Sequence, residues 1–319
     1  MVRLQPVTSA REWHPAYVAL LDDGELERRV HSARMRLACC DLCARYCHVD
    51  RRRGVRGAVC RTGELIVVHG HGPHHGEEPP LSGWAGSGTI FFSWCNLRCV
   101  YCQNWEISWK GVGREVDAAE LATMMLELQE RGCHNVNLVS PSHAVAQVLE
   151  AVWIAARQGL RLPLVYNTGG YDSPEALALL DGVVDIYMPD MKYSDPIAAR
   201  RCSGARDYWD FNRAAVQEMH RQVGDLALDG RGLALRGLLV RHLVLPGSIA
   251  GTEIVLDFLA RNVSRQTYLN LMDQFRPSFR ADEFPPLDRP LTRQEFLEAV
   301  TVAHRNGLHR LDHEIARTG

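Results

Sequence analysis

The chain has 319 residues, 46% hydrophobic and 23% charged, which is ample apolar material for the core of an ordinary globular protein. A formal net charge of -2 supplies no overall attraction to nucleic acid or to an anionic membrane surface, so neither is expected as a partner. No stretch approaches the roughly 20 continuous apolar residues a bilayer-spanning helix needs, and the first residues lack a signal-peptide core, so the expected location is cytoplasmic.

In that reducing compartment ten cysteines argue for metal ligation over disulfides, particularly as eight of them fall between Cys39 and Cys102. Residues 1–35 are expected to form a helical extension, with Tyr17, Leu20 and Leu21 on its apolar face. A Cys-rich module follows over 36–83. Within it Cys40, Cys43, Cys47 and Cys60 offer four thiolates, enough to close a second metal site as a tetrahedral zinc clasp or an auxiliary iron-sulfur cluster, the alternative being reduced, unligated thiols. Cys39 or His48 can stand in for one of these ligands. The basic stretch from Arg51 to Arg56 reads as a solvated loop. Residues 63–69 read as a strand, and 71–80, broken by glycines and paired prolines, as a loop. His69, His71, His74 and His75 have the composition of a metal-binding tract but the spacing of partly exposed loop residues. Glu77 and Glu78 are either acid-base groups at a site or anchors of that loop.

Over 84–280 the chain alternates strands and helices, the pattern of parallel β/α units. Strands are predicted at 89–93, 135–139, 163–166, 184–188, 238–245 and 267–271. The first crossover helix starts at an Asp117 cap with Glu120 three residues on, and Leu121, Met124, Met125 and Leu128 keep its apolar face. Further helices are predicted near 143–158, 174–180, 208–223 and 251–262, and a C-terminal helical segment over 281–319 holds one near 292–306. The expected fold is α/β, a partial (β/α)6 TIM-like barrel with an N-terminal Cys-rich metal-binding extension. Polar and glycine residues follow the strand ends and converge on one mouth, where the active sites of parallel barrels form.

Cys95, Cys99 and Cys102 follow the first of these strands with three and then two residues between them. No fourth ligand stands nearby, the next candidates being Cys133 and His134. Three thiolates fit three corners of a cubane iron-sulfur cluster whose fourth iron takes an outside ligand. A zinc hydrolase fits less well, because hydrolytic zinc favours histidine and carboxylate ligands. A non-catalytic electron-transfer or metal-binding protein is the alternative, and it leaves the polar strand ends unexplained. Cys133 and Cys202 stand alone and read as buried thiols.

With Tyr101 just before the last cysteine, this run resembles the radical S-adenosylmethionine (SAM) superfamily. The stretches 86–93, 102–104, 165–172, 185–193 and 218–224 extend the resemblance to the glycyl-radical-enzyme activating branch, specifically the pyruvate formate-lyase activating enzyme-like subfamily, over roughly residues 36–310. The resemblance implies an oxidoreductase with a [4Fe-4S] cluster on Cys95, Cys99 and Cys102. It would cleave SAM reductively to methionine and a 5'-deoxyadenosyl radical, which abstracts hydrogen from a substrate, in this subfamily a glycine of a partner protein, although the extra N-terminal cysteine module makes a different peptide or a small molecule equally admissible. It also implies an electron donor such as flavodoxin or ferredoxin. Tyr101 would line the adenine pocket, Asp190 and Lys192 match an Asp-x-Lys element that contacts the cofactor, and Asn167, Thr168, Gly169 and Gly170 would approach its methionine or ribose. One departure stands out: a Gly-Gly-Glu-like element after the second strand is replaced by Ser140, Pro141, Ser142 and His143, leaving Ser140, Ser142 or the next loop for the methionine amino group. Arg236, Arg241 and His242 either contact a carboxylate or phosphate or pair on the barrel rim.

Overall fold

The computed structural model describes residues 13–312; the start of the expected N-terminal extension and the end of the C-terminal segment lie outside the described residues. Among the described residues nine strands run in chain order as β1 (Ile66–His74), β2 (Ser87–Phe92), β3 (Arg114–Val116), β4 (Val136–Val139), β5 (Leu164–Thr168), β6 (Ile186–Pro189), β7 (Ala227–Leu228), β8 (Ala234–Leu243) and β9 (Tyr268–Met272). β2, β4, β5, β6, β8 and β9 pair in that order, all parallel, with helices between them. Six parallel strands make the partial barrel that the alternating pattern predicts. Their apolar residues are buried on both faces, as strands covered by crossover helices require. β1 and β3 extend the first edge antiparallel, and β7 adds an antiparallel pair to β8.

The helices begin where their sequence signals stand. The Asp117 carboxylate accepts from the Glu120 backbone N–H at 2.8 Å while Glu120 reaches back, a reciprocal cap that opens the helix Ala118–Glu130. Thr292 and Glu295 form the same box before Arg293–Arg305. The helix Glu25–Arg36 buries Leu26, Val30 and Ala33 against the helix Val145–Arg157, so the N-terminal extension shares the barrel's main core. It is also tied by its backbone: the Asp185 carboxylate accepts from Ala16 N–H at 2.8 Å and from Leu164 N–H, at the start of β5, at 2.9 Å.

Two expectations are corrected. The segment 71–80 is not all loop, because β1 runs on to His74 and Pro79–Ser82 makes a helical turn. β3 covers only Ile66 to Val68, so Pro73 sits on a free edge where a missing N–H breaks no ladder. Arg51 is not solvated but 2% exposed, its guanidinium donating to the carbonyls of Thr62, His143 and Gly63. β3, β7 and the helix Pro196–Ser203 were not predicted; the two strands are too short to carry a period. No helix among the described residues is long and apolar enough to cross a membrane.

Candidate active site

A cavity of about 260 Å³ opens at the carboxyl ends of the parallel strands. Cys95, Cys99, Cys102 and Tyr101 line it from the loop after β2, Ser140 from the end of β4, Asn167, Thr168 and Gly169 from β5, and Lys192 and Asp190 from just past β6. With Arg241 and Leu243 from β8 and Met272, Gln274 and Phe275 from β9, six strand ends distant in sequence meet at one mouth, because parallel strands all end on the same side. The loop itself is bound on both sides. Arg98 N–H and Val100 N–H donate to the carbonyls of Ser203 and Cys202 at 3.1 and 2.9 Å, Arg45 donates to Asn96 O at 2.6 Å, and Asn96 Nδ2 donates to Tyr171 O at 2.7 Å.

All three cysteines are free, and among the described residues Asp190 supplies the one carboxylate that lines the cavity and no histidine does. Burial, followed by the neighbouring Cys99, pushes the Cys95 thiol up to about 12. Burial also raises Cys99, although Lys192 opposes it. A metal held by these sulfurs would have to displace the protons of thiols that burial makes reluctant to ionise. Ser203 Oγ lies 3.0 Å from Cys99 Sγ and Ser108 Oγ 3.2 Å from Cys102 Sγ, two hydroxyls aimed at sulfur. A soft thiolate set with hydroxyl partners and an open cavity beside it fits a cluster with one iron left for an outside ligand.

Opposite the thiols stands a buried ionic network. Asp190 accepts from Lys192 Nζ at 2.6 Å and from Arg241 Nε at 3.0 Å, and Arg241 Nη2 donates to Asn167 Oδ1 at 2.7 Å. Burial alone would raise the Asp190 carboxyl, but Arg241 and Lys192 together outweigh it and hold it below its ordinary range. The same carboxylate keeps Lys192 above its ordinary value against burial. Both charges therefore persist at neutral pH, with about a fifth or less of either side chain exposed.

Not every candidate faces the cavity. Gly170, at φ 74°, packs elsewhere: an added Cβ would lie 2.2 Å from Asn212 Nδ2 and 2.3 Å from the Asp190 carbonyl. Ser142 turns away and lies 2.8 Å from Thr168 Oγ1, whereas Ser140 faces inward with φ 60°, a strained value for serine. Glu77 and Glu78 anchor the β1–β2 connection beneath the site: Glu78 accepts from Asn270 Nδ2 at 2.8 Å, and Glu77 lies 3.9 Å from Arg241. His242 is a buried pair between Met191 O and Thr252 Oγ1, and Arg236 donates to Gln222 O. Arg241 alone of these three lines the cavity. Ser203, Ser108, Arg45 and Asn212 carry no sequence signal and are found only through their contacts, while Tyr193 ends the recognised stretch 185–193 without any role being legible there.

The second cysteine group lies beside the first. Cys40, Cys43 and Cys60 are buried, Cys47 is half-buried, and all four are free. Hydrogen bonding with Cys47, helped by Arg51, outweighs burial and brings the Cys40 thiol down to about 5. Burial, then Cys60, pushes Cys43 up to about 12. Cys39 is exposed, 3.7 Å from His48 Nδ1. Among the described residues no three histidine, cysteine, aspartate or glutamate side chains converge closely enough for a single metal ion, and the histidines of β1 go separate ways, His69 to Val112 O and His71 to Glu127. Cys133 and Cys202 are buried.

Residues 89–227 match the family model described as the Radical SAM superfamily. The chain is also 29% identical over 293 residues to an uncharacterized protein of Methanocaldococcus jannaschii, covering 89% of this chain and 79% of that one. The chain thus carries a radical SAM domain, whose chemistry is the reductive cleavage of SAM at an iron-sulfur cluster, and that domain implies a radical SAM enzyme.

Proposed function

We propose that the radical SAM domain of this chain holds its [4Fe-4S] cluster on Cys95, Cys99 and Cys102 and binds SAM with the cavity wall opposite, abstracting hydrogen from a substrate we take to be a glycine of a partner protein. The observation that carries the reading is the meeting of three free thiols with the Asp190–Lys192 pair around one cavity at the strand ends. When bound, the cluster supplies the electron that breaks the cofactor's carbon-sulfur bond. The protein's own contribution is positioning and exclusion of water. Lys192, a fixed cation, faces the carboxylate of the methionine moiety, while Asp190 keeps it charged and aimed. Asn167, Thr168 and Gly169 present their short side chains and backbone to the ribose or methionine, and Gly170 holds the turn that allows this approach. Ser140 is the inward group in the place of the missing acidic element. The Tyr101 ring lines the adenine side.

The glycine substrate rests on the sequence resemblance. For Cys40, Cys43, Cys47 and Cys60 we propose a second metal site, an iron-sulfur cluster or a zinc ion that would draw the sulfurs together on binding, supported by four free thiols of which Cys43 lies within electrostatic reach of Cys40 and Cys60, and Cys47 of Cys40 and Cys43. We propose an acidic electron carrier of the flavodoxin or ferredoxin kind as donor. Arg61 and Arg98 lie over Trp94 at 5.1 and 5.9 Å, and Lys110 over Trp105 at 4.2 Å, a basic and aromatic surface beside the cluster loop.

The test is anaerobic reconstitution with iron and sulfide, reduction, and assay for 5'-deoxyadenosine from SAM. The expected product is 5'-deoxyadenosine in proportion to loaded cluster. A fully loaded protein that leaves SAM intact would sink the reading.

A further inference from the structure

Behind Cys99 a line of three hydroxyls runs inward: Cys99 Sγ to Ser203 Oγ is 3.0 Å, Ser203 Oγ to Tyr193 OH 2.8 Å, and Tyr193 OH to Tyr101 OH 2.7 Å. Ser203 and Tyr193 are fully buried and Tyr101 is 6% exposed, so no bulk water competes for these protons. The first contact is also fixed by backbone on either side of Cys99, through the bonds from Arg98 N–H to Ser203 O and from Val100 N–H to Cys202 O. Ser203 is thus held against the sulfur by the sheet-like pairing of the two segments.

We infer that Ser203 is a positioning residue for the Cys99 ligand, oriented by Tyr193 and Tyr101, and that this hydroxyl chain raises the reduction potential of the cluster the three cysteines hold. The inference rests on the functional reading above. Each hydroxyl has one proton to give. With Cys99 a thiol the chain runs inward, Tyr193 donating to Tyr101. With Cys99 a thiolate it reverses: Tyr101 donates to Tyr193, Tyr193 to Ser203, and Ser203 to sulfur. A hydrogen bond to a ligating sulfur stabilises the more negative, reduced cluster over the oxidised one, and a donor polarised by two further hydroxyls is a stronger one. Ser108, 3.2 Å from Cys102, lacks such a chain, so the effect is concentrated at Cys99.

The test is an EPR-monitored redox titration of the reconstituted full chain, with iron content measured on the same samples. At the ambient potential where half of the wild-type cluster is reduced, Ser203→Ala is expected to lower the reduced-to-oxidised ratio by about fivefold, the worth of one hydrogen bond. Tyr193→Phe should move the midpoint in the same direction by less, and Ser203→Thr should restore it. A Ser203→Ala protein with wild-type iron content and an unshifted midpoint overturns the inference. If that variant does not load, an unshifted Tyr193→Phe overturns it instead. A wild-type chain that holds no cluster on these cysteines would overturn the functional reading along with this one, whereas an unshifted variant in a SAM-cleaving enzyme removes this inference alone.

Discussion

The two cysteine groups of this chain differ in what their sulfurs face. Cys95, Cys99 and Cys102 line an open cavity, with a lysine across it and hydroxyls behind two of the sulfurs. None of the sulfurs of Cys40, Cys43, Cys47 and Cys60 lines that cavity, and a fully buried arginine lies 3.7 Å from Cys40 Sγ. A metal centre does chemistry only where a position is left for substrate or cofactor, and a closed set of ligands holds structure or passes electrons. The count of thiols in the two groups is nearly equal, so in the function proposed here it is the open face that separates their roles.

The strongest way to break that comparison is to remove one thiol from each group. Cys102→Ala should reduce 5'-deoxyadenosine formation to background, since two thiolates cannot hold the cluster open toward the cavity. Cys43→Ala should leave measurable cleavage once the protein is reconstituted, because its sulfur does not reach the cavity. Iron per chain, measured on both variants, separates loss of a ligand from loss of the fold. Equal loss of cleavage at full cluster loading would show that the second group takes part in the chemistry. The next largest effect belongs to the cavity wall. Lys192→Met leaves Asp190 with Arg241 alone and deprives the cavity of its fixed cation, and SAM affinity should fall by about 100-fold, the order expected for one partner of a buried pair. Calorimetry of SAM binding to the reconstituted protein checks it, and an unchanged affinity would place the methionine carboxylate elsewhere.

Legibility in the sequence follows the range over which each feature acts. The barrel is readable because its signals are local: the Asp117–Glu120 box and the apolar face behind it lie within a dozen residues, and each strand is a short apolar run ended by glycine or polar residues. The end of β1 is hidden because Pro73 and its neighbouring glycines contradict strand propensity, and only the free edge beside β3 makes them acceptable. The three cysteines and the Asp190–Lys192 pair are close in sequence and form recognisable patterns. Ser203 is not legible, since it reaches Cys99 across 104 residues and a lone serine at a helix end says nothing about its partner. Arg51 is the opposite case, in which a local signal misleads. A basic run reads as a solvated face, and what buries this one member is a set of backbone carbonyls 11, 12 and 92 residues away.

Arg51 also gives a way to sharpen the comparison, by perturbing the N-terminal group without touching the cavity. Arg51→Met should cost about 2 kcal/mol in thermal or denaturant unfolding, since three buried carbonyls lose their donor while a costly buried charge is relieved. SAM affinity of the loaded protein should stay within a factor of two or so of wild type, the change ordinary for a site that is not contacted. A stability loss accompanied by a large loss of affinity would mean that the two groups form one unit.

The smallest effect lies on the residue that joins them. His143 receives Arg51 on its carbonyl at 2.8 Å and lies with Nε2 3.0 Å from the Ser93 carbonyl, two residues before Cys95. Burial, and then the Arg51 charge, bring its imidazole down to about 3, so it is neutral in the folded protein. The sign follows from linkage. Between about 3 and the ordinary histidine value near 6.5 the unfolded chain binds a proton that the folded one does not, so stability rises with pH across that window and is lost as pH falls. His242, buried and brought down to about 4, acts in the same sense over the upper part of the window. One such group contributes at most about 1.4 kcal/mol per pH unit. His143→Gln should therefore remove roughly half of the histidine part of the acid slope between about pH 4 and 6, read as unfolding free energy against pH. Arg51→Met should keep the slope but end it at a higher pH, because without the neighbouring guanidinium the imidazole protonates sooner. If Arg51→Met leaves the low end of the window where it was, the arginine acts on the N-terminal group alone, and His143 carries no electrostatic link between the two.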